Sequence, residues 1–416
     1  MRSISRRDLL GAGVGAAAAV GLAACGAEKA TGHTAPATAT TKAGKSGAAA
    51  GAPPKKAITL IGDGSTAYTG KQPHQPAAPT PMEPGETPPQ FVIFSWDGAG
   101  EVGTGLFTRF LDLAQQHDAK MTFFLSGLYL LPESKKHLYQ PPNNPVGASD
   151  IGYLTDAHIK DTLAGVRRAW TDGHEIGTHF NGHFCSGSGS VANWSPEQWR
   201  SEIEQAMSFV TTWKTNSGSV DGEPLPFDYS KELIGSRTPC LLGQNQLLPT
   251  AAALGWRYDA SSPGGTQTWP TKKMGVWDYP LQGIPFPGHS FEVLSMDYNI
   301  LANQSKNSTQ GMTSHYAGWR QQATQSYLAG FQRAYETNRA PFFIGNHMET
   351  WNGGIYMDAV EEALKQIAGR KDVRLVSFRQ FTDWLDAQDP AVVGKLQSLE
   401  VGQAPTGGWN TYLKAA

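Results

Sequence analysis

Strand-like apolar runs alternate with amphipathic helical segments from about residue 90 onwards. Residues 90–96 form an almost unbroken apolar run, and Leu106, Phe110 and Ala114 follow it on one helical face. Similar patterns predict further strands at 121–126, 174–177, 233–236, 256–259, 342–346 and 373–377, with helices at 246–254, 317–337 and 357–369. Repeated β/α units predict a parallel sheet, and this many strands favour an irregular (β/α) barrel of the α/β class.

The first 25 residues have the composition of an export signal. A basic start containing Arg6 and Arg7 precedes a short Gly/Ala/Val stretch that ends in Leu-Ala-Ala-Cys25. The arginine pair resembles a twin-arginine signal, and the final four residues resemble a bacterial lipobox in which Cys25 is lipidated. The alternative is an ordinary signal peptide with a chance cysteine. We therefore expect an exported protein, lipid-anchored on the extracytoplasmic face of the cell membrane.

Composition divides the rest of the chain. Residues 26–89 are dominated by Ala, Thr, Gly, Pro, Ser and Lys, which predicts a largely disordered tether. Residues 90–390 are long enough for one large catalytic domain, followed by a C-terminal extension, 391–416. With 34 basic and 36 acidic residues, the chain gives no reason to expect nucleic acid as a partner. Its 12 tryptophans are suited to stacking on sugar rings.

Candidate metal ligands follow two of the predicted strands. His179 and His183 are four residues apart, so one helical turn would bring both rings to the same side. Asp97 ends the first predicted strand and places a carboxylate at the same barrel mouth. One Asp and two His suit Zn²⁺, or another divalent transition metal such as Co²⁺. Because histidine pairs at this spacing are often incidental, the pattern alone is a weak indication.

Five short motifs, in order, resemble those of the polysaccharide deacetylase (NodB-homology, carbohydrate esterase family 4-like) family. They are 95–98 (Ser-Trp-Asp-Gly), 173–183 (Gly-His-Glu-Ile-Gly-Thr-His, then His183), 237–239 (Arg-Thr-Pro), 258–261 (Tyr-Asp-Ala-Ser) and 343–347 (Phe-Ile-Gly-Asn-His). The resemblance implies the NodB type of barrel and a divalent metal held by Asp-His-His. It also implies a carboxylate base that is held by an Arg and a His that acts as general acid. On this reading Asp97, Arg237 and His347 are catalytic residues.

The first motif departs from the family pattern. Its usual form, Thr-Phe-Asp-Asp-Gly, has a base and then a metal ligand, whereas this chain has only Asp97 followed by Gly98. A gapless match puts Asp97 at the base position, and a shift of one residue makes it the ligand. Glu101 would replace the missing carboxylate if its loop folds back. We expect metal binding to survive through Asp97, with the base role shared, relocated or weakened.

Other residues near these motifs have expected supporting roles. Asp259 is a candidate to orient His347 and tune its pKa. Trp351 and Pro239 are candidate substrate contacts, and the aromatic-rich region 262–310 resembles a lid or subsite loop. Cys185 and Cys240, the two cysteines besides Cys25, each follow a site motif closely, and an exported protein favours a disulfide between them.

The predicted function is metal-dependent removal of N-acetyl groups from an N-acetylated polysaccharide or oligosaccharide, chitin-like or peptidoglycan. Two rivals stay open. One is an amidase of the same fold that acts on a non-glycan substrate, and the other is a catalytically weakened glycan-binding lipoprotein. The absence of a second Asp at Gly98 is the feature that favours the last of these.

Overall fold

A computed structural model describes residues 58–218 and 220–414 of the chain. The strands are β1 (Thr59–Ile61), β2 (Thr66–Tyr68), β3 (Gln90–Asp97), β4 (Thr122–Leu125), β5 (Glu175–Thr178), β6 (Gly235–Ser236), β7 (Tyr258–Asp259), β8 (Lys272–Lys273), β9 (Val276–Asp278), β10 (Gly283–Pro285), β11 (Glu292–Leu294), β12 (Phe342–His347) and β13 (Val373–Leu375). The α-helices are α1 (Leu106–Gln116), α2 (Asp156–Thr171), α3 (Pro196–Thr211), α4 (Trp213–Ser217), α5 (Tyr229–Glu232), α6 (Gln244–Ala253), α7 (Asp297–Ser305), α8 (Tyr316–Glu336), α9 (Trp351–Ile367), α10 (Phe378–Asp386), α11 (Pro390–Gln397) and α12 (Gly408–Leu413).

One curled, mainly parallel sheet organises the chain. Its strand order is β12-β3-β4-β5-β6-β7-β9-β8, with β13 also pairing with β3, and β8–β9 is the one antiparallel pair in this path. Beyond β12, Met296 forms a parallel bridge to Gly345, so the segment after the β10–β11 hairpin continues the curl. The expected α/β class and the curled, mainly parallel sheet of an irregular (β/α) barrel are therefore confirmed.

Strand β3 shows why the sheet is buried on both faces. Val92, Phe94 and Trp96 pack into a large cluster with α1 and α2, whereas Phe91 and Ile93 pack into a second cluster with α10. A strand that is covered on both sides is a nearly continuous apolar run, which is the pattern typical of parallel sheets. The carboxyl ends of these strands meet at one edge, where the site lies.

Residues 58–89 do not form the free spacer that composition predicted. The Ala67 N–H donates to the Leu225 carbonyl at 2.8 Å, and the Trp213 indole donates to the Ser65 carbonyl at 2.8 Å. Gln72 donates a side-chain hydrogen bond to the His174 carbonyl at 2.6 Å. The tether prediction is wrong here because these polar groups find partners on the domain. Residues 26–57 and the predicted signal, including Cys25, lie outside the described residues.

The C-terminal residues also pack on the domain. Val393 and Leu396 of α11 and Leu413 of α12 are buried in the second cluster. This region therefore contributes core side chains beyond the predicted boundary at 390. Within residues 58–218 and 220–414, no helix has the length and hydropathy needed to cross a membrane.

Candidate active site

The predicted site residues meet at the carboxyl ends of neighbouring strands. Asp97 ends β3 and lies opposite His347, which ends β12. His179 follows β5, Arg237 follows β6 and Asp259 ends β7. The strand order β12-β3-β4-β5-β6-β7 places all of them along one rim of the sheet.

Asp97 is held by a buried arginine. The Arg237 guanidinium donates to Asp97 Oδ1 at 2.8 Å and to Ser95 Oγ at 2.8 Å, and its Nε donates to the Ala260 carbonyl at 3.0 Å. Burial acts to raise the pKa of Asp97, but the charge of Arg237, together with the charge of His347 and the hydrogen bond from Arg237, outweighs burial and lowers it. Asp97 is therefore an ionised carboxylate in a fixed orientation.

The Asp97–Arg237 contact distinguishes the two alignments of the first motif. The family resemblance implies an arginine that holds the base, and Arg237 holds Asp97. This contact favours the gapless match, in which Asp97 occupies the base position and Gly98 occupies the position of the missing ligand.

His179 and His183 come together as expected. Their ring centroids are 5.2 Å apart. His179 Nδ1 lies 2.8 Å from the Arg237 carbonyl, which can only accept, so Nδ1 carries the proton. Burial lowers the pKa of His179, and it lowers that of His183 to about 3, so both rings are neutral. His179 Nε2 is buried without a hydrogen-bond partner, so an unshared lone pair faces the site.

The predicted set of three ligands is only partly assembled. Among the described residues, the one group of three His, Cys, Asp or Glu side chains with donor atoms within 4.8 Å of one another is His183 with Cys185 and Cys240. Those two sulfurs are joined in a disulfide and so are not thiolate ligands. Asp97 Oδ1 is paired with Arg237, and Asp97 does not form a group of this kind with His179 and His183 among the described residues, so its role as the third ligand stays a prediction. The unpartnered Nε2 and the two neutral imidazoles do fit Zn²⁺.

A tyrosine occupies the space beside the missing carboxylate. A Cβ on Gly98 would lie 3.6 Å from Tyr129 Oη and 3.8 Å from Ser126 Oγ. The Tyr129 ring also packs on Gly100, where a Cβ would lie 2.4 Å from the ring. Burial and then the charge of Glu349 raise the pKa of Tyr129 to about 12, so its hydroxyl is protonated at neutral pH. Tyr129 thus offers a neutral oxygen beside position 98.

Glu101 does not replace the missing carboxylate. Its Oε1 accepts hydrogen bonds from the backbone N–H groups of Gly103 at 2.8 Å and Gly105 at 3.0 Å. The loop does not fold back as that role would require, because Glu101 satisfies backbone donors just before α1.

His347 is oriented by Asp297, a residue that the sequence did not single out. Asp297 Oδ1 accepts from His347 Nδ1 at 2.8 Å, and Oδ2 accepts from the His347 backbone N–H at 2.7 Å. Burial acts to lower the pKa of His347, but the charge and hydrogen bond of Asp297 raise it to about 9. His347 is therefore a protonated imidazolium at neutral pH, and it is able to donate a proton.

Asp259 has a different role from the one predicted. It accepts from Ser261 Oγ at 2.7 Å and from Gln244 Nε2 at 2.6 Å, and within the described part of the chain no hydrogen bond or ion pair joins it to His347. Burial raises the pKa of Asp259. The prediction that Asp259 orients His347 is wrong, because the end of β7 is separated from β12 by intervening strands. Its contacts instead fix the loop that begins at Ser261.

The two expected substrate contacts differ in their accessibility. Trp351 is half-buried, with its ring 5.2 Å from that of His347 and 5.8 Å from that of Tyr298, which is 44% exposed. Pro239 is buried, so it offers a substrate little surface, and its role in substrate binding stays a prediction. Most aromatic residues of region 262–310 belong to the hydrophobic core. The buried ones are Trp269, Trp277, Tyr279 and Phe286.

The predicted disulfide between Cys185 and Cys240 is confirmed, with Cα atoms 5.8 Å apart and a sequence separation of 55. It joins the loop after His183 to the turn after Arg237. Replacing both cysteines by serine should lower the free energy of unfolding by about 2–4 kcal/mol, because the unfolded chain loses its cross-link. Urea unfolding of the variant and of the unreduced wild type measures this difference. An unchanged midpoint would show that the cross-link contributes nothing.

Comparison with known proteins gives similarity at the level of solved structures. No family model and no curated protein sequence matches the chain. A protein of Mycobacterium smegmatis, provisionally described as a polysaccharide deacetylase, matches with a TM-score of 0.43 and 14% identity over 74% of this chain and 95% of that one. The Xyl-CE4 domain of a multidomain xylanase from the hindgut metagenome of Trinervitermes trinervoides matches with a TM-score of 0.38 and 14% identity over 76% and 98%.

A mutant of BA3943, described as a CE4 family pseudoenzyme, matches with a TM-score of 0.36 and 12% identity over 74% and 72% of the two chains. These three structures are thus described as a polysaccharide deacetylase and two CE4 proteins. At these identities the likeness concerns the fold, and the chemistry of this chain has to be argued from its own residues.

Proposed function

We propose that this protein is a metal-dependent hydrolase that removes N-acetyl groups from an N-acetylated glycan. The observation that carries the proposal is the pair of oppositely charged groups at the ends of β3 and β12. Asp97 has a lowered pKa beside Arg237, and His347 has a pKa raised to about 9 by Asp297. Two titratable groups whose surroundings favour opposite charge states are suited to be base and acid in one reaction.

Each site residue has a separate role in the proposed reaction. A Zn²⁺ or Co²⁺ ion held by His179 and His183 would supply Lewis acidity to polarise the amide carbonyl. Asp97 accepts a proton from the attacking water, and its ion pair with Arg237 through Oδ1 fixes the orientation of the carboxylate. His347 donates its proton to the amine that leaves when the amide C–N bond breaks. Water thus adds to the acetyl carbon, and the products are acetate and a free amine.

The glycan substrate is supported by the aromatic rings beside the acid. The Trp351 ring lies next to His347, exposed Tyr298 lies next to Trp351, and such rings bind the apolar faces of sugars. The proposal retains export through the signal at 1–25 and a membrane anchor at Cys25. The polymer would then be an envelope or external one, such as peptidoglycan or a chitin-like chain.

Acetate release tests the proposal. We expect acetate from N-acetylchitooligosaccharides or peptidoglycan with added Zn²⁺ or Co²⁺, and its loss with chelator. Release from small amides alone would favour the amidase. Measurable sugar binding without release would favour the glycan-binding lipoprotein, for which Gly98 is the supporting feature.

The pH dependence should follow the His347–Asp297 pair. His347 acts while protonated, so activity is present below its pKa of about 9 and is lost as the pH rises through that value. In Asp297→Asn the pKa of His347 should fall, because burial is then opposed only by the smaller effects of the Asp97 and Glu349 charges. We expect the decrease of kcat/KM at basic pH to occur about two pH units or more lower than in the wild type. Asp358→Asn, which removes a surface partner of Arg109, is the control and should leave the pH of this decrease unchanged.

A further inference from the structure

A second surface feature lies along α8, away from the residues that carry the proposed chemistry. A groove of about 440 Å³ separates this helix from the turn after β10. Its lining is uncharged and includes Pro287, Gly288, Trp319, Gln321, Gln322 and Gln325. Because the groove is open and is lined by an aromatic ring and several amides, it differs from an apolar packing defect in the core and from an ion-binding site.

Two side chains of the groove, Gln322 and Trp319, are held in place before any ligand binds. Gln322 donates to the Pro287 carbonyl at 2.7 Å and accepts from Gln304 at 2.8 Å, so it ties the helix to the turn. The Trp319 ring is half-buried and packs on Gly311, where a Cβ would lie 2.8 Å from the ring. Gln321 and Gln325 are exposed. Fixed side chains lose little entropy on binding, which favours recognition.

The groove is connected to the proposed active site through direct contacts. Gly311, on which Trp319 packs, donates its backbone N–H to Asn352 Oδ1 at 2.7 Å. Asn352 follows Trp351, whose ring lies 5.2 Å from that of His347. Contacts between neighbouring residues therefore link the groove to the catalytic acid.

We propose that this groove is a remote subsite that binds further sugar units of the polymer whose acetyl groups are removed. The inference rests on the proposed glycan substrate and makes it an extended chain rather than a single sugar. The Trp319 ring stacks on the apolar face of a sugar, while the amides of Gln321 and Gln325 donate to and accept from hydroxyl groups. The uncharged lining suits an uncharged stretch of the glycan, and the open shape suits a polymer that continues beyond the groove.

The test compares a long and a short ligand. Binding of an N-acetylglucosamine hexasaccharide and disaccharide is measured by calorimetry on the full chain and on Trp319→Ala. We expect the hexasaccharide Kd to rise about two- to tenfold, as for the loss of one aromatic contact, with the disaccharide Kd unchanged. The double variant Gln321→Ala with Gln325→Ala should act in the same direction, and both of its positions are exposed, so folding is preserved.

Arg320→Ala is the matched control, since Arg320 is exposed on the same helix but does not line the groove. The subsite is overturned if neither groove variant weakens hexasaccharide binding more than Arg320→Ala. Equal weakening of both ligands, or a wild type that does not prefer the hexasaccharide, also overturns it. Acetate release measured in parallel separates the two proposals. If the groove variants weaken hexasaccharide binding but no acetate is released, only the deacetylase proposal fails. If acetate is released but the groove variants leave binding unchanged, only the subsite proposal fails.

Discussion

Asp97→Asn should lower acetate release by about 10²- to 10⁴-fold, which is the usual contribution of a positioned base. The amide keeps the shape of the side chain and an oxygen that accepts from Arg237, but it cannot take a proton from water. The structure therefore predicts a folded protein with an intact site and little turnover. Initial rates of acetate release from an N-acetylated oligosaccharide measure the change.

Asp278→Asn is the matched control for this variant. Asp278 also ends a strand of the sheet, but it is paired with Lys273 at 2.6 Å and lies away from Asp97. It should retain near wild-type turnover. If Asp97→Asn retains turnover as well, Asp97 is not the base.

His179→Ala should abolish tight zinc binding. The unpartnered Nε2 of His179 is the clearest donor in the site, and it is fixed by the contact of Nδ1 with the Arg237 carbonyl. Loss of an outer-sphere partner alone costs about 10- to 100-fold in metal affinity, so loss of a ligand should cost more. Zinc titration by competition with a chromophoric chelator measures this effect. Exposed His137→Ala is the control, and equal zinc affinity in both variants would contradict the assignment.

Much of the fold could be predicted from apolar runs because the sheet is buried on both faces. The run 90–96 corresponds to β3, Gln90–Asp97, and the run 342–346 corresponds to β12, Phe342–His347. Strand ends were informative for the site as well, since His179, Arg237 and His347 follow or end strands at one rim. Residues 58–89 were misjudged because their attachment depends on polar groups of the domain, such as the Leu225 carbonyl, and not on composition.

The partners of the site residues were harder to predict. Asp297 lies 50 residues before His347, at the start of α7 in a region that looked like a loop. Asp259 was the more obvious candidate because it lies in a recognisable motif, but only the curl of the sheet decides which acid reaches β12. Likewise, Glu101 is close to Asp97 in sequence but turns to the backbone of Gly103 and Gly105. Closeness in sequence therefore does not determine which partners these side chains contact.

Bound zinc and acetate release, measured in the same samples of wild type, Asp97→Asn and His179→Ala, test the central claim most directly. The wild type should bind zinc and release acetate, Asp97→Asn should keep zinc and lose turnover, and His179→Ala should lose both. This pattern would assign Asp97 as base and His179 as ligand. Loss of zinc together with turnover in Asp97→Asn, or a wild type that releases no acetate with zinc bound, would contradict the account.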